Sequence, residues 1–168
     1  MTLESLENYS VPLEASIFNW YFMDEEKQLP AKEHLDQIFS LTNEAAQFLW
    51  DYEMKIRLQC SDKYFKTIEV FDSSFVDQQA IKKYLYKLGI PFDQKVFIAM
   101  QPDTGYVMTW KMVIKYSHKI FRANDQVTWD KTLNWRLEFH HDGEFRFGKG
   151  LIYDGQNEMI KSKEKQET

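Results

Sequence analysis

Gly143-Glu144-Phe145-Arg146-Phe147-Gly148-Lys149-Gly150 comes within one residue of a phosphate-cradling loop. Such a loop needs Ser or Thr after its lysine to hold magnesium, and Gly150 stands there instead. Glu144 to Phe147 also alternate charged and aromatic residues, the pattern of a strand and not of consecutive exposed N–H groups. Nucleotide binding is therefore not expected. His140, His141 and Asp142, just upstream, carry donor atoms suited to a metal. Adjacent strand residues point to opposite faces, so the two imidazoles do not converge on one ion. Cys60 could be a nucleophile only if folding brought it a base, with His34, His118, His140 and His141 as the choices. A structural thiol is the simpler reading. The carboxylates run in solvated clusters such as Asp24-Glu25-Glu26, which select no acid–base pair. The sequence thus predicts no catalytic residue, no metal site and no cofactor.

One constellation remains. Tyr106 to Tyr116 reads with apolar or aromatic residues at every even position. A period of two over that length predicts a strand with one face on a core, the spine of an antiparallel sheet. Leu133 to His140 alternates in the same way, with Leu133, Trp135, Leu137 and Phe139 inward. In this register Thr109, Lys111 and Lys115 share a face with Arg136, His140 and Arg146. That cationic face is the candidate binding surface, suited to an acidic protein or an anionic ligand. The plain alternative is an ordinary solvent-exposed sheet face, and helices covering both faces would remove the idea.

The elements that must hold these residues follow from local signals. Gly143 and the alternation around it predict a hairpin with the three-residue loop His141-Asp142-Gly143. That loop pairs Phe139 with Phe145, Leu137 with Phe147 and Glu138 with Arg146, and needs Gly143 at positive φ. Lys95 to Gln101 is apolar on both faces, hence an interior strand. Pro102-Asp103-Thr104-Gly105 supplies turn chemistry, and a four-residue loop would pair Gln101 with Tyr106 and Phe97 with Trp110. Phe75 to Leu88 carries a helical stripe closed by Gly89 and Pro91. A helix from Thr42 or Asn43 to about Leu58 has Ala45, Ala46, Leu49, Trp50 and Met54 as its apolar side, with Glu53 paired to Arg57. Pro30 to Phe39 reads as a short helix, Ile17 to Phe22 leans to a strand, and Thr67 to Phe71 and Val127 to Trp129 read as short strands.

The totals agree with one α+β domain over residues 1–155, an antiparallel meander packed against about three helices from the N-terminal half. Residues 156–168 are charged and aperiodic, so a tail without fixed structure is expected. The chain has 168 residues, 16% of them aromatic, enough to bury a sizeable core. Its net charge of −5 disfavours nucleic acid as a partner. Residues 1 to 60 hold 11 acids and 4 bases, so the negative charge is concentrated there. A single cysteine, no leader-like N-terminus and no long apolar run point to a cytoplasmic protein that neither crosses nor anchors in a membrane. The expectation for function is a small interaction protein without catalytic activity: an adaptor, inhibitor or immunity-type protein. The alternative is a small-ligand binder or enzyme with a pocket between the sheet's aromatic face and the helices.

Overall fold

The computed structural model describes residues 1–56, 59–74, 76–122 and 124–152. The strands are β1 (Ser10–Pro12), β2 (Ile38–Leu41), β3 (Phe65–Asp72), β4 (Lys95–Gln101), β5 (Thr104–Thr109), β6 (Gln126–Trp129), β7 (Trp135–Phe139) and β8 (Glu144–Leu151). The helices are α1 (Lys32–Leu35), α2 (Asn43–Ile56), α3 (Gln78–Lys87), α4 (Trp110–Lys115) and α5 (Ser117–Ile120). All eight strands form one antiparallel sheet in the order β1-β2-β5-β4-β6-β7-β8-β3, an α+β fold. Strands from the first half of the chain stand at both ends of the C-terminal run.

The strict alternation along β7 and β8 forces their pairing. Phe139 lies opposite Phe145, Leu137 opposite Phe147 and Glu138 opposite Arg146. Gly143 has φ +100°, as the three-residue loop demands. α3 is shorter than its stripe suggested, because Asp77 caps it by accepting from the Ala80 N–H at 2.8 Å. Gly89 ends it at φ +71°. At the start of α2, Thr42 Oγ1 accepts from the Ala45 N–H. The Glu53–Arg57 pair and the tail at 156–168 lie outside the described residues.

Four expectations are corrected. The alternation from Tyr106 to Tyr116 is not one strand: β5 stops at Thr109 and the chain turns into α4. The Trp110 and Lys111 N–H groups leave the sheet to donate to Gln94 O and Phe92 O. Phe97 pairs with Val107, not Trp110. Only Pro102 and Asp103 separate Gln101 from Thr104, and a bulge between Ala99 and Gln101 completes the turn. The register is three residues from the expected one, and an odd shift exchanges faces. Ile17 to Phe22 is not a strand either. A 3-10 turn at Asn19–Phe22 drives Phe22 into the core against Tyr106, and leaves Ile17 82% exposed. The short helix expected over Pro30 to Phe39 is only α1, and Ile38 and Phe39 belong to β2.

Both faces of the sheet carry a packed core. On one, Ile98, Tyr106, Leu137, Phe139, Phe145 and Phe147 pack under Ile81 and Leu85 of α3, Met112 and Val113 of α4 and Ile120 of α5. Side chains interlock between the aromatic face and these helices, and a cavity of about 220 Å³ opens at the margin beside Leu88, Trp135 and Phe147. On the other face, Phe97, Ala99, Val107 and Trp129 pack under Leu3, Leu6 and Ala45, Ala46, Leu49 and Tyr52 of α2. Burying a side chain such as Leu49 contributes about 1.5–3 kcal/mol. No helix among the described residues is long and apolar enough to cross a membrane.

Candidate functional site

α2 covers its face of the sheet only in part. Past its last turn, β7 and β8 present Arg136, Glu138, Glu144 and Arg146, and a groove of about 560 Å³ opens there. Glu53 and Met54 of α2, the Gln59-Cys60-Ser61 segment, His140 and Asp142 complete the lining.

The floor is a buried ion cluster. Arg136 is 3% exposed, and its guanidinium forks onto Glu53, with Nη1 donating to Oε2 at 2.8 Å and Nη2 donating to Oε1. Its Nε donates to Glu138 Oε1 at 2.7 Å, and its Cζ sits 5.2 Å from the centre of the Trp129 ring. Burial opposes the guanidinium's charge, but the bonds and charges of Glu53 and Glu138 outweigh it and hold the proton more tightly than usual. Glu138 Oε1 also accepts from the Cys60 N–H at 3.1 Å. The Cys60 thiol donates to Arg136 O at 3.3 Å. Burial, reinforced by the nearby Glu138, pushes that thiol up to about 12. Cys60 is accordingly buried and hydrogen-bonded within the cluster, with its thiol held toward the protonated form.

The rim is more open. His140 Nε2 lies 3.8 Å from Glu138 Oε2. Arg146 donates through Nε to Glu144 Oε1 at 2.5 Å. Asp142 Oδ1 accepts from the Glu144 N–H and shapes the hairpin tip. His141 points elsewhere: its Nδ1 is 2.8 Å from Asp125 Oδ1. The two imidazoles of the His-His-Asp run thus take different carboxylates. From Glu144 to Gly150 the Gly143–Gly150 stretch is strand β8, and no helix follows it among the described residues.

Of the six residues assigned to a cationic face, the groove gathers three: Arg136, His140 and Arg146. Thr109, Lys111 and Lys115 are elsewhere, because the strand that was to carry them ends at Thr109. Thr109 Oγ1 donates to Gln37 Oε1. Lys111 is exposed on α4, and Lys115 Nζ lies 2.8 Å from His34 Nε2. Reasoning from sequence missed Glu53, Cys60 and Glu138 as members of one site. A signal for Glu53 existed: it falls on the same helical stripe as Ala45, Ala46, Leu49 and Tyr52, so a carboxylate there had to be buried and partnered. Comparison of the chain with protein-family models, curated proteins and solved structures found no match.

Proposed function

We propose that this chain is a non-catalytic binding module whose groove takes a basic segment of a partner protein. The observation that supports this is the balance of charge in the groove. Four carboxylates (Glu53, Glu138, Asp142 and Glu144) line it against two guanidiniums, Arg136 and Arg146. Both guanidiniums already serve carboxylates of the protein itself. The excess is negative, so an arriving cation gains where an arriving anion meets repulsion. An acidic protein or anionic ligand, suggested by the sequence, would need uncommitted cations at this surface. Arg136 and Arg146 are instead tied to Glu53, Glu138 and Glu144. The rigid floor suits recognition by a preformed surface, and Cys60, the one thiol in the groove, is held protonated.

The test is fluorescence anisotropy with labelled oligo-arginine and oligo-glutamate peptides. The expected result is saturable binding of the basic peptide, weakening with salt, and loss of it in the Asp142→Lys, Glu144→Lys variant. An Asp24→Lys, Glu25→Lys variant, altered far along the chain from the groove, should bind as the parent does. Binding of neither peptide, preference for the acidic one, or equal loss in both variants would overturn the proposal.

A further inference from the structure

The sheet face opposite the groove carries an opening of its own. The cavity of about 220 Å³ lies where two chain reversals meet the margin of the core. One is the end of α3, turned at Gly89 with φ +71°, and the other is the turn over residues 130–134 between β6 and β7. Leu88, Ile90, Trp135 and Phe147, all buried, form its apolar wall. The Trp135 ring is held edge-on to Trp110, with centroids 5.8 Å apart, and its Nε1 donates to Asp130 Oδ2 at 2.9 Å. Asp130 Oδ1 accepts from the Thr132 N–H at 2.9 Å and from Thr132 Oγ1.

Asp130 also lines the cavity and is 5% exposed. Three donors are aimed at its carboxylate, which suits the ionised, acceptor-only form, and Oδ2 can accept once more beyond the Trp135 bond. Neutral donors solvate a charge without cancelling it, and a buried carboxylate ordinarily has a cation beside it. The cation at this cavity is Lys149, exposed and the cross-strand partner of Trp135. Neither Asp130 nor Lys149 forms a salt bridge, with the other or with any described residue. One cavity therefore presents a buried negative group, a positive group at its rim and an apolar wall.

We propose that this cavity binds a free α-amino acid with an apolar side chain, its ammonium on Asp130, its carboxylate on Lys149 and its side chain against Leu88 and Trp135. At about 30 Å³ per water the cavity matches about seven waters, the size of a small amino acid. The two charges select the class. A simple amine brings a cation to Lys149, a simple acid brings an anion to Asp130, and only a zwitterion satisfies both. This site is separate from the groove, whose residues Arg136 and Arg146 stand on the other face of β7 and β8.

Isothermal titration of the full chain with L-phenylalanine, phenethylamine and 3-phenylpropionate tests this. L-Phenylalanine should bind saturably, and each analogue, lacking one charge, about tenfold or more weaker. Lys149→Glu should weaken L-phenylalanine about tenfold or more while phenethylamine binds as well or better. Asp130→Asn should weaken both. Lys32→Glu, the same charge change on α1 away from the lining, should bind as the parent does. Circular dichroism establishes folding, and if Asp130→Asn unfolds, Lys149→Glu, at an exposed position, carries the test. No saturable binding of L-phenylalanine or L-leucine up to their solubility, an analogue that binds as tightly as L-phenylalanine, or a loss in Lys149→Glu no greater than in Lys32→Glu would overturn the proposal.

Discussion

Replacing Arg136 by Met tests whether the groove floor is a dry ion cluster. The Arg136 side chain is 4% exposed, and those of the residues it serves, Glu53 and Glu138, are 10% and 9% exposed. Methionine fills much of the volume but leaves two buried carboxylates facing each other. Breaking a buried pair from one side costs about 3–5 kcal/mol. A domain of this size is stable by about 5–15 kcal/mol, so the loss is about a fifth of the total or more. At about 2–4 °C per kcal/mol it lowers the melting temperature by about 6–20 °C. Glu53→Met alone leaves the guanidinium with Glu138 and costs about 1–3 kcal/mol. In the Arg136→Met background the same change removes an unpaired buried charge and should be stabilising. Urea unfolding of the parent, both single variants and the double variant completes the cycle, with an expected coupling of about 2 kcal/mol or more. A cost for Arg136→Met below about 1 kcal/mol, the range of exposed ion pairs, would show that water reaches the cluster and refute the account of the floor.

Two further predictions concern the β7–β8 hairpin and the histidines. Gly143→Val should destabilise by about 1–2 kcal/mol or more, because a β-branched residue is strained at φ +100° and a Cβ there would lie 3.1 Å from Ser74 Oγ; an unchanged denaturation midpoint would count against the loop. NMR titration should find His141 with its midpoint above the ordinary histidine value, through its hydrogen bond to Asp125, and His118 below it, through burial and the nearby Lys119, Lys82 and Arg122. His141 thus adds stability at low pH that is lost as pH rises through its folded midpoint, whereas His118 takes stability away as pH falls below its unfolded value; Asp125→Asn should return His141 to the ordinary value, and failure to do so would refute the pairing.

The parts of the fold that could be read in the sequence are those where one local rule acts alone. Along β7 and β8 the period of two, the glycine and the charge pairing all give one register. In α3 the stripe and Gly89 do the same, with Asp77 moving only the boundary. Tyr106 to Tyr116 deceived because two periods fit it. Lys111 and Lys115 are exposed and four residues apart, while Trp110, Met112 and Val113 are buried, which is a helical pattern overlaid on alternation. Thr109, Lys111 and Lys115 were placed by that one choice. Arg136 was assigned to the correct face of β7, but alternation says only which way a side chain points. Whether α2 lies over it depends on a partner, Glu53, that is 83 positions away in the chain.

The seam between β3 and β8 also governs when the molecule can exist. Asp72 and its partner Glu144 are 72 positions apart, and Phe65 pairs with Leu151. At about 5–20 residues per second of synthesis, β3 leaves the ribosome several seconds before the strand that completes it. During that interval Ile68, Val70 and Phe71 have no native strand beside them, and the α2–β7 ion cluster is equally unformed. Closure of the seam brings together residues remote in sequence, so its loop-closure entropy falls late in folding. The nascent chain is thus most open to mispairing, and most in need of a chaperone, just before its C-terminal hairpin emerges.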